Sequence, residues 1–294
     1  VASASFGYSG IFNDGWDYEA RWVELLTYVQ PNTAFAVSTG NGGHGFGTIT
    51  SPGSSNGVIA VGASTSYNKE LGAEGFEDAS HSTFGDVSPW SNRGPSAVGM
   101  SKPDVVTVGA WATGDGALNS FFGAPAWTVW GGTSLSAPAT AGIVALIAQA
   151  YYETEGSWSY FGFFGKTYLV DGADNIHYDP QVMGHGLANA YRSVRAASAQ
   201  DGLIAWDVNT YFLPGNDWAA GDYRGTKYPS FARIMSPGQT SSTTLYFQNR
   251  GPRDTPILSD LQAVDLNLER SGSGEFVLNH QAGDDCSPNS YAPH

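Results

Sequence analysis

The stretch from Ala34 to Ala63, AFAVSTGNGGHGFGTITSPGSSNGVIAVGA, decides how the fold is read. Two short apolar runs, Ala34 to Ser38 and Val58 to Ala63, flank a polar, glycine-rich passage. Runs this short, bounded by glycine, predict buried strands. Upstream, VASASFG at residues 1–7 reads as a buried strand of small side chains. A helix is expected from Asp17 to about Tyr28, with Trp22, Leu25, Leu26 and Val29 at helical spacing and Pro31-Asn32 ending it. Strand, helix and strand alternate. The expected fold class is therefore α/β, a mostly parallel sheet flanked by helices.

Further along, Val105 to Val108 is another short strand. Gly131-Gly132-Thr133-Ser134 opens a helix expected from about Leu135 to Tyr151. That helix is apolar almost all round, which predicts central burial. The longest apolar stretch, Ala137 to Ala150, is interrupted by Thr140, Gly142 and Gln149 and reads as too short for a membrane span. A last helix is expected from Leu187 to Ala199. After Gly202 the chain becomes aromatic and loop-rich, then alternates in Ser241 to Gln248, Gln262 to Leu268 and Glu275 to Leu278. This predicts a core domain at 1–202, a connector at 203–227 and a β-sandwich-like accessory region at 228–294.

Composition narrows the function classes. Hydrophobic residues make up 41% of the 294 and aromatics 13%, enough for a sizeable core. The net charge of −14 argues against nucleic acid or an anionic membrane as main partner. It suits an extracellular or cell-surface setting. The single cysteine, Cys286, precludes a disulfide within the chain and any zinc site built from several cysteines. Neither end reads as a natural terminus, and the chain is expected to be a piece of something longer.

The chemistry centres on Gly131-Gly132-Thr133-Ser134-Leu135-Ser136-Ala137-Pro138. Glycines before the serine allow close backbone approach. A serine at a helix start sits among unpaired N–H groups that favour a developing oxyanion. Pro138 is expected in the first turn, where its missing N–H matters little. Taken alone, such a serine is an ordinary N-cap.

Four other segments accompany it. Phe35-Ala36-Val37-Ser38-Thr39-Gly40-Asn41-Gly42-Gly43 is a strand running into Gly-Asn-Gly, followed by Ser51-Pro52-Gly53 and Val58 to Ala63. Next come Ser91-Asn92-Arg93-Gly94-Pro95 and Lys102-Pro103-Asp104-Val105-Val106, then Gly184-His185-Gly186-Leu187-Ala188-Asn189-Ala190. In this order, over residues 1 to about 200, the set closely resembles the subtilisin-like serine peptidases, the subtilases. The resemblance implies Ser134 as nucleophile. It implies Asn41 as the side chain that donates to the tetrahedral oxyanion, beside the Ser134 N–H. Ser5, Phe6 and Gly7 match the strand edge that pairs with extended substrate. Ser38, Thr39 and Gly40 match the opposite wall of the pocket for the residue preceding the scissile bond. On their own residues, Asn41 is also a good turn residue and the two walls are also plain buried strand.

A serine nucleophile needs a general base, usually His oriented by Asp. The resemblance places both ahead of the strand at Ser5. None of His44, His81, His177, His185, His280 and His294 sits in the family's His motif. His44 follows Asn41 too closely, and His185 belongs to the last-helix motif. The base and its Asp are therefore expected from an upstream segment or companion chain. Phe121 to Trp130, unusually aromatic, either lines the cleft or packs under the sheet. No cofactor is required for the chemistry. Structural calcium is compatible with the family and with the acidic loops Glu70 to Asp86 and Asp171-Gly172-Ala173-Asp174 with Asp179, but neither has an EF-hand spacing, so no metal site is assigned. The expected activity is endopeptidase cleavage of protein or peptide substrates through an acyl-enzyme. The alternative is a catalytically silent scaffold or surface-layer component. The acid-acting sedolisins usually carry Asp at the oxyanion position, so Asn41 disfavours them.

Overall fold

The structure, a computed structural model, describes residues 1–8, 13–15, 17–43, 45–65, 86–97, 100–115, 127–207, 237–238, 240, 244–252, 266–270 and 276–280. Four strands form a sheet in spatial order β1-β2-β3-β4: β1 (Ala2–Ala4), β2 (Phe35–Ser38), β3 (Ile59–Thr65) and β4 (Val105–Ala110). All three pairings are parallel, with Ala4 opposite Val37, Ser38 opposite Val61 and Val61 opposite Val105. β3 is buried along its whole length, as a strand covered on both faces must be. Ala36, Ile59, Val61 and Val105 pack toward one layer of helices, and Val37 packs with Val23 and Val58.

Helix α1 (Tyr18–Val29) begins where the sequence predicts it. Asp17 is its N-cap, accepting from the Ala20 N–H at 2.9 Å. Its inward face differs from the expected one. Ala20, Val23 and Thr27 are buried, whereas Trp22 and Val29 are each half exposed. Gly57 packs so closely on Thr27 that only the smaller face fits against the chain. β1 also departs from expectation. It is an edge of the described sheet, paired only with β2, and is incompletely buried.

Helix α2 (Thr133–Glu155) lies across β2, β3 and β4 and starts earlier than predicted. Gly156, in a left-handed conformation, ends it. At 23 residues, with mean hydropathy 1.3 over its best window, it is long and apolar enough to span a membrane by length and composition, contrary to the sequence estimate. Val144, Ile147, Ala148 and Tyr151 instead pack in the core. Burial is one-sided rather than all round: Leu146 is 53% exposed, and Ala145 and Gly142 lie on the same open flank. Pro138 is the sixth helical residue, in the second turn rather than the first.

Three shorter helices follow: α3 (Phe161–Asp171), α4 (Pro180–Met183) and α5 (Ala190–Ala197). The sequence reading missed α3, whose N-cap Tyr160 supplies no side-chain cap. The predicted last helix is shorter. Leu187 forms bridges to Val106 and Asp174, and Asn189 caps α5 by accepting from the Arg192 N–H at 3.0 Å. β5 (Ala112–Asp115) and β6 (Trp127–Trp130) form one antiparallel ribbon, and β9 (Leu266–Arg270) and β10 (Phe276–His280) another.

A third ribbon lies beyond residue 202 and packs back on the preceding helices. β7 (Leu203–Asp207) pairs antiparallel with β8 (Leu245–Asn249). Trp206 meets Phe164 edge-on and stacks on Tyr246 at 5.8 Å. Just past β8, Arg250 reaches Glu155 at 2.8 Å and the Ala196 carbonyl at 3.1 Å, with its guanidinium over the Tyr168 ring. The expected sandwich goes beyond what the described residues contain.

A buried charge cluster stiffens the layer under the sheet. Asp104 accepts from Lys102 at 2.9 Å, Lys166 at 2.8 Å and the Ala60 N–H at 2.7 Å. Burial pushes the Lys102 ammonium down to about 8. Burial alone would raise Asp104, but the two lysines together outweigh it and hold the carboxyl at about 2.

Asp171 is perturbed the other way. Burial pushes it up to about 7, only partly offset by the bond it accepts from the Ala205 N–H at 2.7 Å. The folded protein therefore holds this proton more tightly than the unfolded chain. The stability tied to it is present below the ordinary pKa of 3.8 and is lost as pH rises through about 7. Asp171→Asn keeps an acceptor for Ala205 without the charge. Thermal unfolding should show a higher midpoint for this variant at pH 8 and little change at pH 4. An equal gain at both would refute the assignment.

Candidate active site

The carboxyl ends of β1 and β2 and the amino end of α2 converge on one cavity of about 770 Å³. Clefts in parallel α/β sheets form at this edge because successive strands deliver their following loops there. Ser5, Phe6, Gly7 and Tyr8 line one side, Ser38, Gly40, Asn41 and Gly42 another, and Thr133 and Ser134 close the end. Seven of the eight residues singled out from sequence therefore share this cavity. The eighth, Thr39, does not line it. It is fully buried, and its hydroxyl donates to the Val61 carbonyl at 3.2 Å. The pocket wall at this point is formed by Ser38 and Gly40.

Asn41 is held by its oxygen. Its Oδ1 accepts from both the Thr133 backbone N–H and the Thr133 hydroxyl, each at 2.8 Å. A backbone N–H can only donate, so this contact fixes which end of the amide is oxygen. The Nδ2 group is left as the outward donor. Thr133 itself is fully buried, and its hydroxyl also accepts from the Gly40 N–H at 3.2 Å. Gly132 has φ near +140°, and a Cβ there would press on the Asn41 amide, so glycine is required beside it.

Ser134 is the second residue of α2, and its N–H is one of the first-turn donors that lack an intrahelical partner. Its side chain is partly exposed on the cavity. A neutral amide donor and a helix-terminal N–H bordering one cavity are the equipment for stabilising an oxyanion beside a nucleophilic hydroxyl.

Sequence reasoning assigned no role to Thr133 or Asn92. Asn92 clamps the turn that carries Asn41. Its Oδ1 accepts from the Gly42 N–H at 2.6 Å, its Nδ2 donates to the Thr39 carbonyl at 2.9 Å, and its backbone N–H donates to the Gly40 carbonyl at 3.0 Å. The available signal was an amide side chain inside the Ser91 to Pro95 segment, which pattern alone could not connect to residues 39–42.

Among the described residues, the cavity wall carries no His, Asp or Glu. His44 lies outside the described residues, as do His81 and His294. His185 is exposed, and its backbone N–H donates to the Asp104 carbonyl. Most of the aromatic segment before Trp130 and most of the loop from Glu70 to Asp86 also lie outside them. The second acidic group has other partners: Asp171 holds Ala205, Asp174 pairs with Arg192 at 2.9 Å, and Asp179 caps α4. No group of three or more metal-ligating side chains occurs among the described residues.

Residues 1–186 match the model of the Subtilase family. The chain belongs to this family of subtilisin-like serine proteases. It is 30% identical over 303 residues to pyrolysin of Pyrococcus furiosus, an alignment covering 92% of this chain and 21% of that protein. To serine protease AprX of Bacillus subtilis it is 33% identical over 168 residues, covering 54% of this chain and 34% of that protein. The chain thus spans about a fifth and about a third of the lengths of these relatives. Among solved structures, the prenylagaramide maturation protease PagA aligns with a TM-score of 0.47 at 20% identity, covering 66% of this chain and 60% of that one. A protease from Pseudoalteromonas arctica aligns at 0.46 and 19%, covering 67% and 51%. Both scores fall below 0.5, and membership rests on the sequence matches.

Asn92→Ala should remove two side-chain hydrogen bonds from a buried position, the one from the Gly42 N–H and the one to the Thr39 carbonyl. The expected cost is about 1–3 kcal/mol of stability, read by urea unfolding. A change below about 0.5 kcal/mol would mean that the turn holds without the clamp.

Proposed function

We propose that this chain carries the nucleophile and oxyanion donor of an extracellular or cell-surface serine endopeptidase. The observation that carries the reading is the capture of Asn41 Oδ1 by Thr133, which leaves Nδ2 as a donor bordering the cavity that Ser134 also lines. Ser134 Oγ attacks the scissile carbonyl carbon while a base takes its proton. The oxyanion accepts from Asn41 Nδ2 and the Ser134 N–H. Collapse expels the amine, and water then hydrolyses the acyl-enzyme to release the acid.

The base is a His oriented by an Asp, and both come from an upstream segment or companion chain. Three observations support this. The described cavity wall has no His, Asp or Glu. The outer edge of β1 is unpaired within the described sheet, and the flank of α2 around Ala145 and Leu146 is open. An open parallel edge and an apolar helix flank both suit cover by further chain. Structural calcium is compatible with the acidic composition, and the chemistry itself needs no cofactor. The β-rich tail serves as an accessory region.

The complete protein should be treated with a fluorophosphonate probe and the adduct mapped by mass spectrometry. An adduct on Ser134 is expected, because the probe reports an assembled base and oxyanion hole. A folded protein that gives no adduct would instead be a silent scaffold or surface component. In an active protein, Asn41→Ala should lower kcat by about 10²–10³-fold with little change in KM, the usual effect of losing one oxyanion donor. An unchanged kcat would remove Asn41 from the mechanism.

A further inference from the structure

We infer that Ser5 acts on the nucleophile rather than on the substrate: its hydroxyl takes the Ser134 carbonyl that Pro138 leaves without its regular helical donor. In α2 the Ser134 carbonyl would accept from the backbone N–H four residues on, and that residue is Pro138. Proline has no N–H, and its ring crowds the carbonyl it would have served. The Ser5 Oγ donates to the Ser134 carbonyl at 2.9 Å, across 129 residues of sequence.

The placement gives this bond a consequence. Ser5 directly follows β1 on one wall of the cavity, and Ser134 closes its end. The bond ties the wall to the helical turn whose backbone sets where the Ser134 Oγ points. A serine or threonine can supply the donor and alanine cannot. Pro138 and Ser5 thus form one device: the proline opens the carbonyl, and the hydroxyl closes it from another element. Ser5 is a positioning residue in this account, which rests on the reading of Ser134 as nucleophile.

The test is a double-mutant cycle in the complete protein. It reads the fluorophosphonate labelling rate, kcat and KM on a peptide substrate, and amide exchange at Leu135 and Ser136, whose N–H groups bond to the Gly132 carbonyl. Ser5→Ala should slow labelling and kcat by about threefold to tenfold with KM nearly unchanged, the range of one lost hydrogen bond. Ser5→Thr should recover most of the rate. In a Pro138→Ala background the new N–H can serve the Ser134 carbonyl, and Ser5→Ala should then cost less than about twofold. An equal loss in both backgrounds overturns the proposal, as does a rise in KM with kcat unchanged, which would make Ser5 a substrate contact. If the wild-type protein takes no label, the nucleophile reading fails by itself. The tether is then decided by exchange: faster exchange in Ser5→Ala with Pro138 present, but not with Ala at 138, supports it, and no difference refutes it.

Discussion

The site depends on one contact, the capture of Asn41 Oδ1 by the Thr133 N–H and hydroxyl. It joins the loop after β2 to the first turn of α2, two elements 92 residues apart. It also sets the chemical sense of the site, because an amide turned the other way would present an acceptor to a developing negative charge. Several other features serve this contact. Gly132 leaves room for the amide, Thr133 is fully buried, and Asn92 holds the chain on both sides of Asn41.

The sheet explains why these pieces meet. With β1, β2, β3 and β4 all parallel, the loops following the strands leave from one edge, and α2 crosses the same strands with its amino end there. At the opposite, amino ends of β3 and β4, Asp104 with Lys102 and Lys166 forms a buried charged group that also bonds the β3 backbone at Ala60. Removing Asp104 would leave two ammonium groups without their carboxylate, so the cluster ties β3 and β4 to the helix that carries Lys166. The C-terminal ribbon of β7 and β8 is joined to the same body through Trp206, Asp171 and Arg250. The described chain just past residue 202 thus packs on the preceding helices.

Much of the fold was legible because its strands are short apolar runs bounded by glycine and its longest helix opens on Gly-Gly-Thr-Ser. The misreadings share a cause. Trp22 and Val29 have the spacing of a core face, yet a tighter fit puts Ala20, Val23 and Thr27 inside. Hydrophobicity measures the gain from burial but says nothing of the space available. α3 was missed because its sequence, FGFFGKTYLVD, offers neither a capping side chain nor a polar face. Thr39 was read as pocket wall because its neighbours are. Strand alternation turns it inward and leaves Ser38 and Gly40 on the cavity.

Sequence by itself determined the class of fold, the family and seven of the residues around the cavity, because ordered motifs record which backbone shapes and reacting groups a site needs. Tertiary structure decided how those residues are used. That Thr133 orients Asn41, that Asn92 holds its turn and that Ser5 reaches the Ser134 carbonyl all depend on hydrogen bonds between elements 50 to 129 residues apart. A hydrogen bond needs its two atoms within about 3 Å and in line. Local sequence sets propensity and periodicity, but only the packed sheet and helices set that distance.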